Sequence, residues 1–485
     1  DSPDTIPDAP QGTASVESDP HSTAGPDVIT EFQREHTVHS TAVTLTDYDY
    51  LQPSLDLQST ASAESFEEIY DFPGKYTRVP DGEFYADLYL KERSARQEVV
   101  RGAGTCRGFV SGHQFELTDY YRRDANQPYL LIFVSHRARG GGYLTQDPDP
   151  EYQNRFECIP MRVPFRPAMS SRPPRVQGSQ TALVVGPSGE EIYTDEHGRV
   201  KVQFPWDRQG RKDENSSCWI RVSQPWAGKA WGAMAIPRIG QEVVVDFLEG
   251  DPDRPIITGR VYNAEQIPPY SLPGDKTQTG IKSRSSKGGD TSTFNEIRME
   301  DKKGNELLYI HAEKDQDIVV ETDRTDNVGH DETISVGNDQ TISVGNDRKE
   351  EVASDHTESI GSDMKLSVGA DRTVSVGKKL SESIGADRTE SVSDDRSSNV
   401  GGDDTLDVGG DESVAVGGKR SVNVGGDSAH KAKKILIQGD DQVTIKSGSA
   451  SIVLKKSGDV TIKGKKITIK GSGDVIVKGS KIAQN

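Results

Sequence analysis

The chain has 485 residues, with 77 Asp and Glu against 58 Lys and Arg, a net charge of −19, and 6% aromatic residues. That length calls for two to four domains, and the acidic balance argues against nucleic-acid partners, whose phosphates demand clustered cations. No apolar run approaches the length of a membrane span, and three unclustered cysteines, Cys106, Cys158 and Cys218, suggest neither a disulfide framework nor a zinc site and are expected as free thiols.

Residues 1–27, rich in Asp, Ser, Pro and Thr, read as a linker or truncated flexible segment. The chain begins Asp1-Ser-Pro with no basic and apolar leader pattern, so export is expected to use a route other than a cleaved signal peptide. Residues 28–175 read as β-rich with mixed polarity, with Tyr129-Leu-Leu-Ile-Phe-Val134 as a buried strand. Proline-rich stretches at Pro160–Pro167 and Pro173-Pro174 mark a boundary. A second unit spans 176–263. Short alternating strands at Thr181–Val185, Arg199–Phe204, Cys218–Val222 and Glu242–Phe247, separated by Gly-Pro, Asp-Glu-His-Gly and Gly-Asp-Pro-Asp turns, suggest a small five-stranded barrel. Residues 264–326 read as an extended neck and the start of the repeat region.

From 327 to 485 an eight-residue period dominates. Val336-Gly-Asn-Asp, Val344-Gly-Asn-Asp, Ile360-Gly-Ser-Asp, Val368-Gly-Ala-Asp and Val400-Gly-Gly-Asp stand in one register. Ile334 and Val336 alternate with Thr333 and Ser335, which is strand periodicity. The Gly-x-Asp after each strand is turn chemistry. No Phe, Tyr or Trp follows Ala312, and the last proline is Pro273, as continuous backbone pairing requires. One such strand buries one or two aliphatic side chains, too little to offset roughly 1–2 kcal/mol of backbone entropy for each ordered residue. The core must therefore be shared, and a homotrimer of interlaced chains with a triangular cross-section fits better than one chain coiled on itself. About 20 octads stacked at one strand spacing give a β-helix about 95 Å long. Its core is expected at the corner residues Val328, Val336, Val344, Val368, Val376, Val400, Val408 and Val424.

The second apolar slot is imperfect: Glu350, Glu358, Glu382, Glu390 and Ser398 occupy the place of Ile334. Unpaired buried carboxylates are costly, so a half-exposed slot near a corner is favoured over an ion-bearing interior. Residues 327–430 carry 21 Asp and Glu against 10 Lys and Arg, a net of −11, whereas 431–485 carry 4 Asp against 12 Lys, a net of +8. The basic part has fuller strands, among them Ile435–Ile437, Ile467–Ile469 and Val475–Val477, and reads as a stiff distal end.

Several motifs in this chain resemble the VgrG family of type VI secretion spikes. They are Val185-Gly-Pro-Ser-Gly-Glu-Glu-Ile192, Asp195-Glu-His-Gly-Arg-Val-Lys-Val-Gln-Phe204, Ser217-Cys-Trp219, Gln224-Pro-Trp-Ala-Gly228, Pro237-Arg-Ile-Gly-Gln-Glu-Val243 and Gly250-Asp-Pro-Asp-Arg-Pro255. Tyr70-Asp-Phe-Pro-Gly-Lys75 and Pro164-Phe-Arg-Pro167 are similar to the family's hub. The resemblance implies a mainly β homotrimer like the hub and needle of contractile phage tails. Residues 28–175 would be the remainder of a phage-hub-like domain, 176–263 an oligosaccharide/oligonucleotide-binding (OB) barrel and 327–485 the triangular needle. It implies a larger N-terminal hub than this chain carries, and neither an inserted lysozyme domain nor a C-terminal toxin is visible. Further implications are binding of the tip residues Lys478, Gly479, Ser480, Lys481, Ile482, Ala483, Gln484 and Asn485 to a conical PAAR-repeat protein, hub contact with an Hcp-type tube protein and the baseplate, carriage of effector toxins with their adaptors, and transient contact with a target membrane. The expected location is the bacterial cytoplasm in the assembled state, then the extracellular space or target cell.

The expected function is non-enzymatic puncturing and delivery, with no cofactor. Two rivals remain, a needle that degrades cell wall and a calcium-folded repeat toxin or adhesin. Calcium β-rolls repeat every nine residues with a second Gly pair, which the Gly-Gly-Asp runs at 401–403, 409–411 and 425–427 lack. His36-x-x-His39 reads as a surface pair rather than metal ligands. Gly102-x-Gly104 and Gly140–Gly142 read as loops without a phosphate site. Trp206, Trp219, Trp226 and Trp231 read as barrel core and trimer contact rather than a base- or sugar-stacking platform.

Overall fold

The computed structural model describes residues 5–17, 27–62, 67–141 and 150–483. It divides into two compact units, 1–334 and 335–485. The described residues are mainly β with one α-helix, as the sequence led us to expect for the class.

The first sheet of the N-terminal unit is built from β1 (Asp8–Ser15), β2 (Ile29–His36), β6 (Glu98–Gly104), β7 (Gln114–Thr118), β8 (Pro128–Arg139) and β9 (Glu151–Pro160), in the order β1-β7-β8-β9-β6-β2. A smaller sheet, β4-β3-β5, consists of β3 (Ala42–Leu45), β4 (Ser59–Ser62) and β5 (Glu68–Asp71). The reading of 1–27 as linker is corrected over residues 8–15. β1 pairs in parallel with β7 through Thr13–Ser15 against Glu116–Thr118, and Ala9 and Ala14 are buried beneath it. Small side chains can be core in a strand without making an apolar run, so composition hid this one. Phe109, Phe115, Tyr129 and Phe156 fill the sheet's core, with Phe109 and Phe156 edge to face at 5.1 Å. The reading of Gly102-x-Gly104 as a loop is also corrected: both lie in β6, and a Cβ on Gly102 would stand 2.2 Å from the Phe156 ring.

α1 (Val79–Ser94) begins with Pro80 in its first turn, has Asp81 near its N-terminus and ends with Lys91 and Arg93, which suits the helix dipole. Its buried residues, Gly82, Ala86 and Leu90, recur every four and lay a small-residue stripe on the β3–β4 sheet. At Gly82 a Cβ would lie 2.4 Å from the Tyr76 ring and 2.5 Å from Ser59 Oγ. The ring is pinned, because Tyr76 OH donates to the Leu57 carbonyl at 2.5 Å or that of Leu45 at 2.9 Å. Helix propensity alone would make Gly82→Ala stabilising by about 1 kcal/mol. The clash reverses the sign, and we expect a net loss of about 1–3 kcal/mol. A raised melting temperature for that variant would refute the packing assigned to this helix.

The barrel comprises β10 (Gln180–Val185), β11 (Lys201–Gln203), β12 (Arg221–Val222), β15 (Glu242–Phe247) and β16 (Pro255–Val261), in the order β11-β10-β15-β16-β12. Val200 and Ile220 exchange backbone hydrogen bonds of 3.0 and 2.9 Å, joining the ends of β11 and β12 and closing the sheet on itself. Alternate residues of these strands point inward, so the core is aliphatic: Val184, Val200, Val202, Ile220, Val243, Val245 and Ile257. The tryptophans do not fill it, which corrects that part of the sequence reading. Trp206, Trp226 and Trp231 are exposed, and Trp219 is half-buried beside Tyr193. A two-stranded hairpin, β13 (Trp226–Gly228) and β14 (Trp231–Ala233), holds two of them edge to face at 5.2 Å.

Where extended linker was expected, the neck holds a three-stranded antiparallel meander of β17 (Gln278–Lys282), β18 (Glu296–Glu300) and β19 (Leu307–His311). Between 312 and 441 the one chain forms no backbone ladder with itself, yet its path bends at every eighth residue from 321 to 426. A second meander, β20 (Gln442–Ser447), β21 (Ala450–Lys455) and β22 (Val460–Lys463), interrupts the expected octads. Gly448 and Gly458, at φ 55° and 87°, supply its tight turns. The octad boundary 327–485 is therefore corrected over 442–463, where apolar spacing follows the hairpins instead.

Candidate functional site

In the octad segment each bend comes just after a corner residue, so Val336, Val344, Val368, Val376, Val400, Val408 and Val424 all stand at equivalent corners, as does Val328 upstream. In the single chain these side chains remain 41–55% exposed. Ile334, Ile342, Leu406 and Val422, two residues before a corner, are more exposed still. The corner geometry is thus built locally by Gly-x-Asp, while burial of the corner residue is not completed by one chain.

Both meanders show the same incompleteness. Ile281, Ile297 and Ile310 are paired across β17–β18–β19, and Met299 pairs with Leu308 on that face. All five are exposed. Ile445, Ile452 and Ile462 make the matching column across β20–β21–β22. They too are exposed. A sheet with one apolar face open to water needs a covering layer.

The area agrees for the whole chain. A folded monomer of 52.9 kDa should expose about 17,700 Å². This chain exposes 40,303 Å².

Charge is patterned along the octads. Arg388 lies 3.3 Å from Glu382 and 3.9 Å from Glu390, and Arg396 lies 3.5 Å from Glu390. Earlier in the segment Arg348 and His356 approach Glu350 at 3.1 and 3.7 Å. Glu350, Glu382 and Glu390 thus each have an arginine within 4.0 Å, two residues before or six after.

The tip residues Lys478, Gly479, Ser480, Lys481, Ile482 and Ala483 are all exposed, whereas Gln484 and Asn485 lie outside the described residues, as does Gly142 of the glycine run. Among the described residues no three His, Cys, Asp or Glu are gathered as a metal ion requires, and no helix is long and apolar enough to cross a membrane. His36 stands 4.0 Å from Glu98, and His39 Nδ1 lies 2.6 Å from the Ser40 carbonyl. Burial pushes the Cys106 thiol up to about 12 and that of Cys158 well above its usual value, so neither offers a thiolate near neutrality.

Sequence reasoning missed the joint between the first domain and the barrel. Asp47, just after β3, has no exposed side-chain surface and accepts both prongs of the Arg254 guanidinium, at 2.9 and 2.5 Å. The amides of Tyr48 and Lys75 donate to the same carboxylate at 2.7 and 2.5 Å. Burial alone would raise its pKa, but these hydrogen bonds and the guanidinium charge outweigh it and hold the carboxyl below the usual range. Lys75 Nζ pairs with Asp251 at 2.8 Å. Arg199 donates to Tyr50 OH at 2.6 Å, and the Arg221 guanidinium lies 4.2 Å from the Tyr50 ring centroid. The only sequence signal was that Lys75 and Arg254 each fall within a family-like motif; nothing in their spacing announced a partner about two hundred residues away.

Three family models match. Residues 1–142 match a phage tail baseplate hub, 190–262 a type VI secretion system/phage-baseplate injector OB domain, and 279–387 with 363–447 the bacteriophage T4 gp5 C-terminal trimerisation domain. The type VI secretion system spike protein VgrG1b of Pseudomonas aeruginosa is 51% identical over 324 residues, 63% of this chain and 43% of that protein. This chain belongs to the VgrG family. A further VgrG of that organism, spike protein VgrG1c, is 52% identical over 296 residues, covering 60% of this chain and 41% of its own length. The chain thus spans less than half the length of these VgrG relatives. Among solved structures, an Escherichia coli type VI secretion component described as similar to phage T4 gp27 and gp5 matches at 21% identity and a TM-score of 0.28, over 45% of this chain and 56% of that one. A PdpA–VgrG complex matches at 7% identity and a TM-score of 0.32, over 59% of each chain. Structural likeness at these scores supports no conclusion beyond the sequence match.

Proposed function

We propose that this VgrG chain acts as a homotrimeric, non-enzymatic spike at the end of a type VI secretion tube, puncturing a target membrane and delivering cargo. The observation that carries the proposal is the exposed area, more than twice that of a folded monomer of this mass. It is concentrated on periodic corners and one-sided sheets that a threefold partnership would cover. The trimerisation-domain match falls on the neck and the octads, where that covering is needed.

In this reading three chains interlace over 327–485 into a triangular β-helix, with the local meander at 442–463 as a thicker collar. Every octad then pairs with neighbours from the other chains, so the rod resists bending through its backbone ladders. The first domain meets the tube protein and baseplate, and the barrel passes load from that domain to the needle through the Asp47–Arg254 joint. Sheath contraction supplies the work. Effectors and adaptors ride on the assembly, which works inside the bacterium and is then delivered to the extracellular space or the target cell.

Light scattering after size exclusion, with and without EDTA, tests the assembly. We expect about three times 52.9 kDa under both conditions. A monomer would refute the spike, and loss of mass in EDTA would favour a calcium-folded repeat. The enzyme reading is tested by a peptidoglycan hydrolysis assay.

Ile482 is exposed in the single chain, which favours a partner covering residues 478–485. Deleting 478–485 should leave the trimer intact and abolish binding of a PAAR-repeat protein in a pull-down. Undiminished binding would remove the docking role of the tip.

A further inference from the structure

We propose that the lysine-bearing face of the 442–463 meander, with the lysines beside it in the chain, is a docking surface for anionic lipid headgroups. The proposal rests on the spike reading and names what the distal part of the chain meets on a target membrane.

Strand alternation gives this meander two unlike faces. Val443, Leu454 and Val460 are paired across β20–β21–β22, beside the column of Ile445, Ile452 and Ile462. Both columns lie on one face, the one that a partner chain would cover. The opposite face carries Lys446, Lys455 and Lys463 among Thr444, Ser451 and Thr461. Lys446 and Lys463 both pair with Ser451, so their backbones stand level, two strand spacings or about 10 Å apart. Covering the apolar face of such a sheet leaves its lysines toward the solvent.

These cations are uncommitted. Residues 431–485 carry 12 Lys against 4 Asp, and every one of those lysines is exposed. Among the described residues of this stretch only Lys456 comes within 4.0 Å of a carboxylate, that of Asp441. The preceding residues 327–430 carry 21 Asp and Glu against 10 Lys and Arg. An anionic surface therefore attracts the distal part and repels the octads before it, which confines the contact to the basic stretch.

The composition suits lipid better than nucleic acid. Residues 431–485 hold no Arg, Phe, Tyr or Trp. Neither the bidentate guanidinium contacts nor the stacking faces that read bases are present there. Lysine ammoniums are point charges on flexible stems, and spaced along a sheet they match a surface of mobile phosphate headgroups.

Co-sedimentation of the full chain with vesicles tests this, alongside light scattering. The net charge of −19 opposes adsorption of the chain as a whole, so binding to anionic vesicles has to come from a local patch. The parent should bind vesicles of phosphatidylcholine with about one-third phosphatidylglycerol, ignore phosphatidylcholine alone, and be released at about 1 M salt, where charges are screened beyond about 3 Å. Lys446→Gln with Lys455→Gln and Lys463→Gln should weaken partitioning at least about tenfold at unchanged trimer mass. The matching triple arginine variant should bind like the parent. Arg372→Gln with Lys378→Gln and Lys379→Gln makes the same change in net charge within the acidic octads and should also bind like the parent. Parent-like binding by the first glutamine variant, or an equal loss in the octad variant, overturns the proposal. Tighter binding to a DNA duplex than to the anionic vesicles at the same salt overturns it in favour of nucleic acid. A trimer that ignores anionic vesicles overturns it and leaves the spike reading standing, whereas a monomeric parent overturns that reading and this proposal with it.

Discussion

Val400→Asp should abolish the trimer. In one chain Val400 is about half exposed. Placing Asp there in a monomer would cost about 1 kcal/mol at most, as surface changes do. In a threefold assembly the same substitution puts three carboxylates around one level of the axis, each without a cation. Each unpaired buried charge costs about 3–5 kcal/mol, and the three repel one another besides. The sum exceeds what a typical domain has in reserve. Light scattering should therefore report loss of the trimer, or melting of the octads well below the temperature of the parent. Val400→Ile keeps the chemistry and should cost under about 1.5 kcal/mol, while Asp403→Ala, on the adjoining turn, should change little. If Val400→Asp remains a trimer with parental stability, the shared core is wrong.

What the sequence revealed, and what it hid, divides along the same physical line. The octads announce themselves because a short period is carried by residue types that have few alternatives: valine at the corner, glycine at the bend, aspartate to bond back to the turn. The structure reproduces the bend at every eighth residue. The barrel was legible for a similar reason, since Thr181–Val185 and Glu242–Phe247 alternate cleanly and their inward residues are the core. α1 was not, because its buried stripe is Gly82, Ala86 and Leu90, and a face with one large aliphatic residue makes no hydrophobic period. β1 escaped for the same reason, with alanines as its buried residues. The tryptophans misled, since large aromatic side chains suggest a core, yet the barrel interior is narrow and is filled by valine and isoleucine. The 442–463 meander was hidden because an alternating apolar strand looks the same whether its partner is its own hairpin or another chain. Partner choice is a property of the turns, and there the glycines at 448 and 458 were the clue.

Arg254→Ala should be the most damaging single change in the N-terminal unit. It strands Asp47, whose side chain has no exposed surface, with only the amides of Tyr48 and Lys75 as partners. Removing one member of a buried pair costs about 3–5 kcal/mol, and the domain joint should loosen with it. The pair is also expensive to bury, so removing both members is the informative control. Asp47→Leu with Arg254→Met should recover much of the loss, because no charge is then left behind. A surface ion pair would behave otherwise, with single and double variants all within about 1 kcal/mol of the parent. The pH dependence has a definite sign. Asp47 titrates lower in the folded chain than the ordinary carboxylate value, which is about 3.9. Its contribution is therefore complete above that value and is lost as pH falls through the lowered folded value. Asp251, held low against the pull of burial by Lys75 and by its bond from the Asp253 amide, adds to the same acid limb. Chemical denaturation between neutral pH and about pH 3 should show stability falling toward acid in the parent. That fall should be shallower in the double variant, which has no Asp47 to protonate. An acid limb of equal steepness in both would mean that this joint does not hold the barrel to the first domain.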